Sequence, residues 1–131
     1  MKPAKPNPAS PFQRRNKYRV APKALRTDAN GKVYASKAEM LYAAQLRAIG
    51  ASFVEQPRVK LGESGIVYVS DFYINGEDGP EYVDVKGVQT TVFKLKKKLW
   101  KVYGPAPLRI VKRDHGRFVT VEVVPKGSKA P

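Results

Sequence analysis

Residues 66–86 constrain this chain more than any other stretch, because they ask for two consecutive extended strands. Positions 66–74 are dominated by β-branched and aromatic side chains, which suit a pleated, half-buried backbone. Positions 75–80 are turn-forming or charged and end that run, and 81–86 resume it before Gly87. Side chains alternate across a strand, so Val67, Val69, Asp71 and Tyr73 share a face, and Asp71 is expected as a lone acid in an apolar row. The same rule turns Asp84 and Lys86 to one side and Val83 and Val85 to the other. If the two strands are antiparallel neighbours, Asp71 and Asp84 converge. A buried, unpaired carboxylate is costly, so a cation is expected beside them, either Lys86 or a metal ion.

The remaining elements follow from punctuation and period. Asn30-Gly31 is a turn dipeptide, leaving room for a short extended piece with Val33 and Tyr34. Ser36 and Glu39 have the spacing of a capping box, residues 40–49 are apolar enough for a buried helix, and Gly50 stops it. Residues 52–56 and 58–61 read as short strands split by Pro57, with a turn over 62–65. In 91–103, Val92, Leu95, Leu99 and Val102 fall at helical spacing. Phe93 and Trp100 widen that apolar side, and Gly104-Pro105 ends the helix. Residues 108–112 and 118–124 form a hairpin across Asp114-His115-Gly116. This order of helix, strands, helix and two strands defines an α/β domain with a mixed sheet flanked by helices.

Composition supplies the partner. Lys and Arg number 25 against 11 acidic residues, a formal charge of +14, which calls for a polyanion. No run of apolar residues is long enough for a membrane span, and the cations are not confined to one amphipathic helix, so nucleic acid is favoured over a membrane. The absence of cysteine excludes disulfides and thiolate metal sites, and any metal must be held mainly by oxygen. Residues 1–24 carry no acid and are rich in Pro, Lys, Arg and Asn. They read as a disordered basic arm, either an ordinary terminus or one in which Arg14, Arg15, Lys17 and Arg19 grip phosphates. The folded domain is expected over 25–124 and a loose tail over 125–131. Prolines at 3, 6, 8 and 11 break any secretory signal, so a cytoplasmic setting is expected.

Two nearby carboxylates repel unless a divalent ion sits between them. Mg²⁺ suits such a pair, since it takes oxygen ligands, keeps several waters and binds through one or two carboxylates plus substrate phosphate oxygens. It can polarise a phosphodiester and acidify a bound water, with Lys86 orienting that water or stabilising growing charge.

In this order, an acid on an early helix, an acid at a strand and then acid-x-Lys on the next strand, the chain resembles the PD-(D/E)xK nuclease superfamily. Glu39, Asp71 and Asp84-Val85-Lys86 fill those places. Ser36-Lys37-Ala38-Glu39, Gln56-Pro57, Ser70-Asp71-Phe72 and Val83-Asp84-Val85-Lys86-Gly87, followed by a Lys-rich helix, are similar to small phage-type endonucleases related to Holliday-junction resolvases. The resemblance covers residues 34–103. It departs from the superfamily where Ser70 replaces the proline usually found before the first acid. It implies a restriction-endonuclease-like fold, a Mg²⁺-dependent (or Mn²⁺-dependent) DNA endonuclease acting on branched DNA, a homodimer, and a bacterial or phage-infected cell. It also implies catalytic roles for Glu39, Asp71, Asp84, Lys86 and Gln89, with Asp71, Asp84 and Glu39 on the metal.

Each of these residues has a plainer reading beside it. On that reading Glu39 serves only its capping box, Gln89 is a loop amide, and Asp84 with Lys86 is a minor ion pair of about 0 to 1 kcal/mol. Lys94, Lys97, Lys98 and Lys101 are expected to bind phosphates, together with Lys96 on the same polar side, where a solvated face is the alternative. His115 reads as a turn residue, and Phe93 and Trp100 as core. The rival for the whole chain is a non-catalytic basic nucleic-acid-binding protein, for which the charge suffices.

Overall fold

The computed structural model describes residues 21–130. Arg14, Arg15, Lys17 and Arg19 of the expected arm lie outside the described residues. The chain divides into two units, Met1–Met40 and Leu41–Pro131, and the division falls within a helix, α1 (Lys37–Ala48).

In the first unit a 3-10 turn, Lys23–Arg26, leads to an antiparallel bridge between Thr27 and Val33. Asp28 Oδ1 closes the intervening loop by accepting the Asn30 and Lys32 N–H groups, each at 2.9 Å. Gly31 there has φ +85°, a value that glycine reaches without strain. Residues 21–24, the end of the segment expected to be arm, carry defined structure: Arg26 Nε donates to the Ala21 carbonyl at 2.9 Å. Ser36 Oγ accepts the Glu39 N–H at 3.1 Å, which is the forward half of the expected capping box.

In the second unit, Tyr42, Ala43 and Leu46 of α1 are buried, and the Tyr42 ring meets Phe72 and Phe118 at 5.3 and 5.0 Å. The strands are β1 (Phe53–Glu55), β2 (Arg58–Lys60), β3 (Val67–Val69), β4 (Phe72–Gly76), β5 (Gly79–Val85), β6 (Leu108–Asp114) and β7 (Arg117–Val124), with α2 (Thr91–Tyr103) between β5 and β6. Five of them form a sheet in the order β1-β4-β5-β6-β7. Only β5 and β6 run parallel, and such a pair needs a crossover, which α2 supplies. The other pairs are antiparallel, so the sheet is mixed and the fold is α/β, as the element order implies. β2 and β3 form a separate antiparallel ribbon. Its inner side chains, Val59 and Tyr68, join Leu61, Phe93, Trp100, Leu108, Ile110 and Val124 in one buried cluster.

The long strand expected over 66–74 is two strands. The chain leaves the ribbon after Val69 and enters the sheet at Phe72, with Ser70 and Asp71 at the break. The expected apolar row is also inverted: Val67 and Val69 are exposed, whereas Tyr68, Ser70, Phe72 and Ile74 are buried. Alternation fixes which residues share a side but not which side is inside. Here the large aromatics Tyr68 and Phe72 decide it. Helix α2 shows the same effect. Val92 and Leu95 are 62% and 60% exposed, and the core line is Phe93 and Trp100, seven residues apart and thus nearly in register after two turns.

Helix α2 stops at Gly104 as expected, and it is the tail that differs. Gly104 ends α2 with φ −62°, not in the left-handed region; a Cβ there would lie 2.3 Å from the Trp100 indole, so glycine serves close packing. The tail expected to be loose is instead hydrogen-bonded onto the end of α2. The N–H groups of Gly127, Ser128 and Lys129 donate to the carbonyls of Gly104, Lys101 and Val102 at 2.8, 3.1 and 2.7 Å. A helix leaves its last carbonyls without intrahelical partners, and this segment supplies them. The terminal hairpin matches expectation, with His115 and Gly116 at φ +50° and +81° forming the tight turn.

Candidate active site

The β4–β5 hairpin turns over Glu77-Asp78, pairing Gly76 with Gly79 and Phe72 with Val83. One further step along that register sets Asp71 opposite Asp84. The two acids lock reciprocally: the Asp71 N–H donates to Asp84 Oδ1 at 2.9 Å, and the Val85 N–H donates to Asp71 Oδ2 at 2.7 Å. Lys86 Nζ stands 4.0 Å from Asp84 Oδ2 and 4.5 Å from the centre of the Phe93 ring. Asp71, Asp84 and Lys86 are thus brought together, as the sequence requires. Their burial is graded, since the Asp84 side chain is 1% exposed and that of Lys86 30%, with Asp71 half-buried.

Withdrawal from water penalises the charged form of a carboxylate. Burial pushes the Asp84 carboxyl up to about 6, against the pull of Lys86, the Asp71 N–H and Lys96. Asp71 is raised for the same reason, opposed by the Val85 N–H and Lys86.

The sequence reading missed Tyr68. From the inner face of the ribbon its hydroxyl donates to Asp84 Oδ2. A buried tyrosine needs a partner for its hydroxyl, so an aromatic three residues before a candidate acid was the available signal. Lys96, read only as part of a polar face, lies over the Tyr68 ring at 5.8 Å. Gln56 was read as the end of a strand and part of a motif, yet it lies past the strand at φ +57° and donates its N–H to the Asp71 carbonyl at 2.9 Å. A left-handed non-glycine residue costs of the order of 1 to 3 kcal/mol, and this one is spent next to the acid pair. Replacing Tyr68 by Phe is expected to lower stability by roughly 1.5 to 3 kcal/mol at pH 8, where Asp84 is ionised, and by about half as much at pH 4. Urea unfolding at the two pH values measures the difference.

The other expected site residues are placed as follows. Lys97 is turned inward, its Nζ donating to Glu122 at 2.7 Å and to Gln89 at 2.9 Å. It anchors the loop holding Gln89 rather than presenting itself on the surface. Lys94, Lys98 and Lys101 are exposed. Glu39 is buried and lies on the first turn of α1. Among the described residues, no group of three or more His, Cys, Asp or Glu side chains is gathered as a metal site. His115 is 96% exposed and pairs with Asp114 in its turn.

Fold and site together define a basic α/β protein with a paired-carboxylate and lysine centre at the open end of a hairpin. A family model described as "Protein of unknown function (DUF1064)" matches residues 15–113, and the chain belongs to that family. Comparison with curated proteins and with solved structures gives no match. Among the described residues, no helix is long and apolar enough to cross a membrane.

Proposed function

We propose that this chain is a Mg²⁺-dependent DNA endonuclease of PD-(D/E)xK type that hydrolyses phosphodiester bonds, preferentially in branched DNA such as a four-way junction. The observation that carries the reading is the reciprocal lock between Asp71 and Asp84 with Lys86 beside it, on a chain of charge +14. The donor set fits a hard divalent cation. Each bonded carboxylate oxygen keeps a second lone pair, and two carboxylates with solvent and phosphate oxygens are a normal Mg²⁺ complement, with Mn²⁺ an acceptable substitute. Asp71 and Asp84 would hold the ion, and Glu39 is the supporting acid by resemblance. When bound, the ion would supply a nucleophilic water and polarise the scissile phosphate. Lys86, flanking Asp84 and partly open to solvent, orients that water and stabilises charge developing on phosphorus-bound oxygen. Lys97 holds Gln89 where its amide can face the same phosphate. Lys94, Lys98 and Lys101, with Arg14, Arg15, Lys17 and Arg19, bind flanking phosphates. Symmetric cuts call for two centres and hence a homodimer, in the cytoplasm of a bacterial or phage-infected cell.

A second reading, a basic nucleic-acid-binding protein without catalysis, draws support from one observation. Asp84 already has a donor on each oxygen, from Tyr68 and from the Asp71 N–H. Incubating the protein with labelled four-way junction, flap, linear duplex and single strand, with Mg²⁺ or Mn²⁺ and then with EDTA, separates the two. The expected result is metal-dependent cutting, fastest on the junction and lost in Asp71→Asn while binding is kept. Binding with no cutting of any of these DNAs under either ion would leave the second reading.

A further inference from the structure

We infer that the outer face of the β2–β3 ribbon is a docking ledge for the nucleic-acid backbone, with Arg58 and Lys60 as its phosphate contacts. The inference deepens the DNA-binding part of the proposed function and names a surface used for it. Strand register pairs Arg58 with Val69, Val59 with Tyr68 and Lys60 with Val67. One face of the ribbon, Val59 and Tyr68, is buried, while the whole opposite face is exposed and consists of Arg58, Lys60, Val67 and Val69. Some cations of this unit are tied into the fold, Arg109 to Glu81 at 2.9 Å and Lys97 to Glu122 at 2.7 Å, and are not offered to a ligand. Among the described residues, neither Arg58 nor Lys60 has an ion-pair partner. The hairpin's acid, Glu63, lies on the connecting turn and not on this face.

Position makes the ledge specific. Arg58 stands across from Val69, and Asp71 follows Val69 by two residues, with the same parity as the exposed Val67 and Val69. Gln56, two residues before Arg58, donates its N–H to the Asp71 carbonyl at 2.9 Å, so the cationic row begins close to the partly open acid of the pair and runs away from it along the ribbon. The ribbon is not free to drift, because Tyr68 on its inner face is bonded to Asp84. Two positive groups, two residues apart on a fixed strand, are about 7 Å from one another and can engage successive groups along a polyanion. A two-stranded ribbon is also of a size that the DNA major groove admits.

The test is equilibrium binding of a fluorescent linear duplex and a four-way junction to the full chain in EDTA, over 50 to 200 mM salt. Arg58→Gln/Lys60→Gln is compared with wild type and with the charge-matched pair Lys126→Gln/Lys129→Gln. Each lost phosphate contact should reduce the log-log salt slope by about 0.9, so the ribbon variant should lose about 1.8 and weaken by roughly tens of fold at 0.1 M salt. Equal weakening in the control pair, an unchanged slope in the ribbon variant, or no binding by wild type would each overturn the inference. Unaltered far-ultraviolet circular dichroism and melting of both variants are the folding check. Because binding is read without metal, a protein that binds through the ribbon but cuts nothing sustains this inference while the nuclease reading fails.

Discussion

Asp84→Asn is expected to raise the stability of the protein at pH 8 by about 1 to 3 kcal/mol while lowering metal-dependent cleavage by about a thousandfold or more. The carboxyl is 1% exposed and its folded-state value of about 6 lies above the unfolded value of 3.8. A raised acid binds its proton more tightly in the folded state. Its favourable contribution is complete below the unfolded value and is lost as the pH climbs through about 6. The loss is worth roughly 3 kcal/mol at one decade of binding per 1.4 kcal/mol, reduced in practice by the departing attraction of Lys86. Asparagine keeps an oxygen for the Asp71 N–H and removes the charge. Wild type and variant should therefore have similar stability near pH 4 and diverge above pH 6, with the variant ahead, in urea titrations across that range. The opposite order at pH 8 would show that the Lys86 ion pair and the Tyr68 hydrogen bond outweigh the burial of the charge. Added Mg²⁺ should narrow the gap, since it stabilises only the chain that binds it.

The second large effect is at Trp100. Its side chain is fully buried, its Nε1 donates to the Ala106 carbonyl at 2.8 Å, and its ring packs edge-on against Tyr68 and Tyr82 at 5.4 and 5.2 Å. Trp100→Ala is expected to cost about 3 to 5 kcal/mol, through lost burial and an unfilled cavity. Tyr68 is both a wall of that cavity and the hydroxyl on Asp84, so the loss should not stop at the core. In Trp100→Phe, which restores most of the volume, about half the stability should return, together with the affinity for Mn²⁺ measured by calorimetry. Recovery of stability without recovery of ion affinity would separate the core from the acid pair.

How much of this was visible in the sequence depends on which physical rule carried each element. The β4–β5 hairpin was legible because turn residues bracket two β-rich runs, and it alone is enough to bring Asp71 to Asp84. The mixed sheet was legible from the order of elements. What failed was phase. Alternation in 66–74 and the helical period in 91–103 each define two sides, and the choice between them is made by partners distant in the chain. Tyr68 goes inward because Trp100 and Phe93 are there to receive it, at 5.4 and 6.3 Å, and that displaces Val67 and Val69 to the surface. Lys97 could not be told from Lys94 or Lys98 by composition, because its partner Glu122 belongs to a strand 25 residues later. The hydroxyl of Tyr68 on Asp84 belongs to the same class of long-range facts.

The docked segment after β7 also bears on synthesis. Lys101 and Val102 are made well before Ser128 and Lys129, so the final turn of α2 emerges from a ribosome with its carbonyls facing water and receives its partners only after β7 has followed. The helix that carries the lysines is thus completed by residues that lie beyond two further strands. Changes to the backbone of Gly127, Ser128 or Lys129 therefore act on the helix itself.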